Sequence, residues 1–165
     1  MVSTVRGQFK AVRGTALLDE RDLTRSQINV EIDSASIDTR EEKRDAHLRS
    51  ADFFDVAKYP KLSFRSTRIE RAGDGFKLTG ELTMHGVTHP VTLLVDSLSS
   101  PTKDPYGRLV RGVSATGKLN RKDWGLGWNL PLETGGVVVG EEVKLQIDAE
   151  LVAKAAVEAS QRKVG

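Results

Sequence analysis

Residues 75–93 read "GFKLTGELTMHGVTHPVTL" and carry two of the chain's three histidines, His85 and His89. On a helix, a four-residue spacing would aim both imidazoles at one metal ion. The surrounding residues argue for strands instead. Phe76, Leu78, Leu82 and Met84 fall on one side, and Lys77, Thr79, Glu81 and Thr83 on the other. That period of two marks a strand with one dry and one wet face. Gly86 stands at a turn position, Pro90 opens a second strand, and Thr83, Thr88 and Thr92 add β preference on both sides. The stretch is read as a hairpin whose connection is His85-Gly86-Val87-Thr88-His89, with each imidazole near the rim of a sheet rather than on a metal.

The same alternation recurs along the chain. "SQINVEI" sets Ile28, Val30 and Ile32 against Asn29 and Glu31, and "EEVKLQIDAEL" sets Val143, Leu145, Ile147, Ala149 and Leu151 against Lys144, Gln146, Asp148 and Glu150. Similar runs at residues 2–9, 14–18, 62–69, 91–96 and 108–119 bring the count to about eight strands. Turn clusters at Ala72-Gly73-Asp74-Gly75, Lys103-Asp104-Pro105-Tyr106-Gly107 and Thr134-Gly135-Gly136 make neighbouring strands antiparallel. The exception lies at about residues 40–58, where Asp38 or Thr39 can cap a polar helical turn and Pro60 ends the excursion. Strands apolar on one face are hidden either in a two-sheet sandwich or in a barrel lined by that face. Gly80, Ala115, Gly117 and Ala149 on the dry side leave room inside a barrel or fit its taper. Residues 1–152 form one domain, and the Ala-rich tail 153–165 is read as flexible or weakly helical.

Composition excludes several classes of function. Twenty-five Lys plus Arg against 23 Asp plus Glu leave a net charge of +2, spread without a block, which points away from nucleic acid and anionic membranes. The absence of cysteine removes disulfide and thiolate chemistry. No signal-type apolar run opens the sequence, and no window reaches the ~18 apolar residues of a membrane span. As it stands the chain reads as cytoplasmic, with a secreted or periplasmic location implied if a leader has been removed.

Few stretches carry chemistry. "TGGVVVG" at 134–140 leads into a strand, so it reads as a hairpin and not a phosphate loop. "SPTK" at 100–103 has the Ser-x-x-Lys spacing but lies in a Pro-rich loop, without the helix that motif requires. "NRKDWGLGWNLPLE" concentrates Trp124 and Trp128 around two glycines, either as an aromatic rim at a pocket mouth or as a core-filling pair at a barrel corner. His47, near Arg44 and Asp45 and followed by Asp52-Phe53-Phe54-Asp55, has no recognisable nucleophile to serve. It reads as part of a segment tied to the barrel end.

Three blocks, "SIDTREEKRDAHLRSADFFDVAKYPKLSF", "LTGELTMHGVTHPVTL" and "NRKDWGLGWNLPLETGGVVVGEEVKLQI", together resemble the YceI-like family of polyisoprenoid-binding, lipocalin-like proteins. The resemblance covers most of residues 2–152. It implies an all-β fold: an extended eight-stranded antiparallel barrel with a helical insertion, whose apolar lumen holds a long isoprenoid such as a quinone or prenyl lipid. Family members usually carry a further N-terminal strand before the stretch matching "VSTVRGQF", so the resemblance implies either that the sequence starts short of that strand or that this barrel has lost it. A dimer or the C-terminal tail would then cover the gap.

Three functions compete on these grounds. The first is non-catalytic binding, transport or sequestration of an isoprenoid lipid, with no cofactor beyond that lipid. Its site would be lined by Ile28, Val30, Ile32, Leu62, Phe64, Phe76, Leu78, Leu82, Val91, Leu93, Val95, Val113, Leu119, Val143, Leu145 and Ile147. Phe53, Phe54, Trp124 and Trp128 would stand at its margins, and Arg111, on the inward register of its strand, would meet a head group or reach to solvent. The second is a small lipid-processing enzyme, which requires at least two of His47, His85 and His89 to converge with a carboxylate. The third is a stress-associated interaction module that uses the exterior or an exposed edge.

Overall fold

The computed structural model describes residues 4–130 and 139–154. Its elements in chain order are β1 (Gln8–Phe9), β2 (Val12–Leu17), β3 (Gln27–Asp33), β4 (Ile37–Asp38), α1 (Glu42–Arg49), β5 (Lys61–Ala72), β6 (Gly75–Met84), β7 (Val87–Leu98), β8 (Thr102–Lys103), β9 (Leu109–Asn120) and β10 (Glu142–Val152). An eight-stranded antiparallel sheet runs β10-β9-β7-β6-β5-β3-β2, with β8 on β9, while β1 and β4 pair separately. The sheet curls into a half-barrel, the eight-stranded antiparallel form with one helical insertion that the sequence leads one to expect. Among the described residues β2 and β10 end the sheet and do not pair with each other.

The β6–β7 hairpin is tighter than its sequence suggests. Met84 pairs directly with Val87, so the connection is only His85-Gly86, both at positive φ (54° and 73°). Such a turn matches the right-handed twist of its strands. Val87, Thr88 and His89 belong to β7, which corrects the five-residue connection read from the sequence. Glycine takes this backbone freely, whereas His85 is held in it by its Nδ1 contact with the Trp124 carbonyl (3.2 Å) and by the Tyr59 ring at 5.0 Å.

Two register shifts bend the sheet, one between Ser66 and Arg68 in β5 and one between Val95 and Ser97 in β7. Each inserts an extra residue and sharpens the local twist. In β5 the shift brings Ile69 opposite Leu78, so the concave face stays apolar where strict alternation would have offered Arg68.

The insertion is held by polar contacts. The N-cap of α1 is Glu41, whose side chain accepts from the Arg44 amide, and not Asp38 or Thr39 as the sequence suggests. Asp38 instead accepts from the Arg40 amide, while Asp45, 4% exposed, binds the backbone and hydroxyl of Thr39. Arg44 and Arg49 tie the helix to the carbonyls of Thr39, Ala35 and Ile37.

The core lies on the concave face toward the end that carries α1. Leu62, Leu78, Met84, Val91 and Leu93 pack there under Trp124 and Leu126, which follow the end of β9. Gly80 and Gly117 fit a closely packed wall and leave no room beside it. A Cβ on Gly80 would stand 2.3 Å from Phe64 Cζ, and one on Gly117 would stand 2.7 Å from Leu93 Cδ2, so neighbouring side chains already occupy that space. The tail beyond residue 154 and Thr134-Gly135-Gly136 lie outside the described residues.

Candidate ligand-binding face

Pairing registers place all sixteen wall residues on one concave face. Rows such as Ile32–Leu62, Val30–Phe64–Leu82, Leu78–Leu93, Phe76–Val95 and Leu119–Val143 run across the strands, while Leu145 and Ile147 stand opposite Gly117 and Ala115. Ile28 pairs with Ala16, Val91 with Gly80, and Val113 with both Leu98 and Ala149. Leu62, Leu78, Val91 and Leu93 are buried, the other wall residues are half-buried, and Val143, opposite Leu119, is exposed. The half-barrel therefore fills itself around those four residues and leaves apolar wall part-accessible beside them, including Phe76, Val95 and Val113 at the end away from α1.

The two tryptophans separate in role. Trp124, 1% exposed, is a core-filling residue and does not stand at a rim; its Nε1 donates to the Leu82 carbonyl at 2.8 Å. Trp128 is half-buried and stacks edge-on against His47 (4.6 Å between ring centres) and near Phe53 (5.4 Å), which fastens the Gly-rich loop to the helical insertion. Phe53 is buried, and Phe54 packs against Phe9 at 5.6 Å.

Arg111 is paired within the fold. Its Nε donates to the Ser99 carbonyl (2.9 Å), and Nη1 donates to both carboxylate oxygens of Glu20 at 2.8 and 2.7 Å. Its charge is already matched within the fold.

The histidines do not form one centre. His47 Nε2 meets Asp52 at 2.8 Å beside α1. His85 and His89 both lie against Trp124, through its carbonyl and its ring respectively. Among the described residues no group of three His, Cys, Asp or Glu side chains is arranged to hold a metal ion.

Arg121 escaped the sequence reading. Only 4% exposed, it donates to four carbonyls, those of Gly140 (2.8 Å), Trp128 (2.9 Å), Val139 (3.2 Å) and Leu126, and so gathers the loop that carries Trp124 and Trp128. Burial lowers its pKa and Glu141 opposes the shift. Glu141 is itself held below the usual glutamate value, chiefly by its hydrogen bond from Lys122. No pattern of spacing announces a charged residue whose partners are all backbone oxygens. A polar cleft of about 350 Å³ where β3 parts from β5, lined by Arg25, Asn29, Arg65 and Arg68 among others, has the wrong chemistry for an alkyl chain.

Comparison with known proteins adds what geometry alone does not. Residues 1–151 match the YceI-like domain. The chain belongs to the YceI-like family. Protein YceI of Escherichia coli O17:K52:H18 is 42% identical over 148 residues, spanning 90% of this chain and 74% of the relative. Protein YceI of Salmonella arizonae is 40% identical over the same length. Among solved structures, the Campylobacter jejuni YCEI protein superposes with a TM-score of 0.80 at 28% identity, covering 94% of this chain and 88% of that one. Burkholderia cenocepacia BcnA, 22% identical with a TM-score of 0.77, shares the fold. The curled sheet with its single helical insertion is thus a YceI-like architecture.

Proposed function

We propose that this YceI-like protein binds a long-chain isoprenoid lipid, of the quinone or prenyl type, along its concave face and carries or sequesters it, with no bond made or broken. The observation behind this reading is the apolar wall at Ile28, Phe76, Val95, Val113 and Ile147, which the protein's own side chains leave half-covered. A flexible hydrocarbon suits it: each buried methylene is worth about 0.8 kcal/mol before the cost of association. The polar contacts around the wall are already internally satisfied, so recognition would rest on apolar burial. Extracting lipid from the purified protein and identifying it by mass spectrometry tests the reading. A prenyl lipid at stoichiometric level supports it. Its repeated absence, together with no saturable uptake of a fluorescent prenyl alcohol, overturns it.

A further inference from the structure

The connection between β2 and β3, residues 18–26, is a built segment and not a slack loop. Asp19 accepts from the amides of Arg21 and Asp22 at 3.0 and 3.2 Å, and its own amide donates to Ser26 Oγ at 3.0 Å. Asp22 caps the short turn Leu23–Arg25 by accepting from the amide and hydroxyl of Thr24. The connection is therefore internally braced.

Its placement is the informative part. β2 and β9 are separated by four strands, five inter-strand steps, which on a flat sheet puts them about 24 Å apart. Yet Glu20, three residues beyond β2, meets Arg111 near the start of β9 with both carboxylate oxygens. A second rim arginine, Arg71, lies over the Phe76 ring at 5.5 Å, and its charge helps hold the Asp22 carboxyl below the usual value, behind the larger effect of the Thr24 hydrogen bonds. Two acidic residues of one connection thus face two arginines set on the concave register of β5 and β9. This is the end away from α1, where the wall is half-covered.

We infer that residues 18–26 form a strap across this mouth, latched by the Glu20–Arg111 pair, and that ligand enters and leaves the concave face by its release. The inference rests on the reading of that face as a lipid site, and the latch also has a ligand-free readout. Arg111 is 12% exposed and fixed to Ser99, whereas Glu20 is 58% exposed, so Glu20 is the partner that swings.

The test measures release of an anthraniloyl ester of geranylgeraniol, chased with unlabelled geranylgeraniol, from the wild-type protein and from Glu20→Gln. The latch requires release from Glu20→Gln about tenfold faster than wild type in about 0.05 M salt, with the wild type approaching the variant in about 0.5 M salt as the pair is screened. Lys144→Gln, a charge change on the outward face of β10, leaves the rate unchanged. Amide hydrogen exchange on the ligand-free proteins supplies the independent readout: Glu20→Gln must raise exchange across residues 18–26 and spare β6 and β7. Equal release rates, or equal exchange in the strap, overturn the latch. Absence of saturable probe binding with the exchange difference intact would instead strike the lipid reading and leave a strap without cargo, which also overturns the role in ligand exchange.

Discussion

The indole Nε1 of Trp124 donates to the main-chain carbonyl of Leu82 at 2.8 Å, across 42 residues of sequence. Leu82 sits on the concave register of β6, so this bond seats the plug formed by Trp124 and Leu126 on the sheet itself. Trp124→Phe keeps most of the buried area and removes the donor. Its expected cost is about 1–3 kcal/mol, against about 3–5 kcal/mol for Trp124→Ala. Urea unfolding measures both. A Phe variant as stable as wild type would show that packing alone holds the plug.

Arg121 gathers four carbonyls, of which that of Val139 also accepts from Asn129 Nδ2 at 2.7 Å. Arg121→Met matches the length of the aliphatic stem and strands the oxygens of Leu126, Trp128 and Gly140. Destabilisation of about 3 kcal/mol or more is expected, with loss of the near-ultraviolet dichroism of the tryptophans beyond what the change in stability explains. Arg121→Lys, which cannot serve four acceptors in one plane, recovers only part of the loss.

The space over Gly80 is taken by the Phe64 ring, whose Cζ would lie 2.3 Å from an added Cβ, and by the Arg65 carbonyl oxygen at 2.7 Å. Gly80→Ala is therefore an overpacking change, expected to cost about 1–3 kcal/mol. Adding Phe64→Leu should return part of that cost. A double-mutant cycle in denaturant shows the coupling as a non-additivity of at least about 0.5 kcal/mol.

How far the sequence discloses this arrangement depends on the kind of interaction. Alternation in residues 75–84 and 141–151 makes the strands and their dry face readable, because side-chain direction in a strand follows a fixed period. The two register shifts are hidden from that reading, since an extra residue such as Thr67 changes the phase without changing the composition. The two-residue turn at His85-Gly86 is missed for a related reason. Gly86 signals a turn, but the positive φ of His85 depends on Trp124 and Tyr59, which are remote in sequence. The inward residues are legible one by one. The Glu20–Arg111 pair, 91 positions apart, follows only from the curl of the sheet.

Acid should loosen the strap only at low pH. The Asp22 carboxyl is held below its ordinary value by the Thr24 hydroxyl and amide, which outweigh an opposing desolvation, with lesser help from Arg71 and Arg25. A depressed folded pKa means a contribution fully present above the unfolded value of about 3.9, and lost as pH falls through the lower folded value. Protection of the Thr24 amide should thus persist through pH 5 and fall only below about pH 4. Loss of protection between about pH 5 and 6 would point to a different group as the clamp.

A lipid lying on the half-covered wall makes one substitution diagnostic. Val113 lies on the concave face, half-buried and outside the packed core cluster, so in the ligand-free protein the hydroxyl of Val113→Thr still reaches water and the cost to the fold is small. Under a bound hydrocarbon that hydroxyl loses water without gaining a partner, a cost of about 1–3 kcal/mol. Affinity for a fluorescent prenyl alcohol should fall by about tenfold, while the urea midpoint moves little. Leu94→Thr is the control, because Leu94 is 53% exposed on the opposite, convex register of β7 and should leave affinity unchanged. Equal affinity losses at the two positions would mean that the probe does not use the concave face.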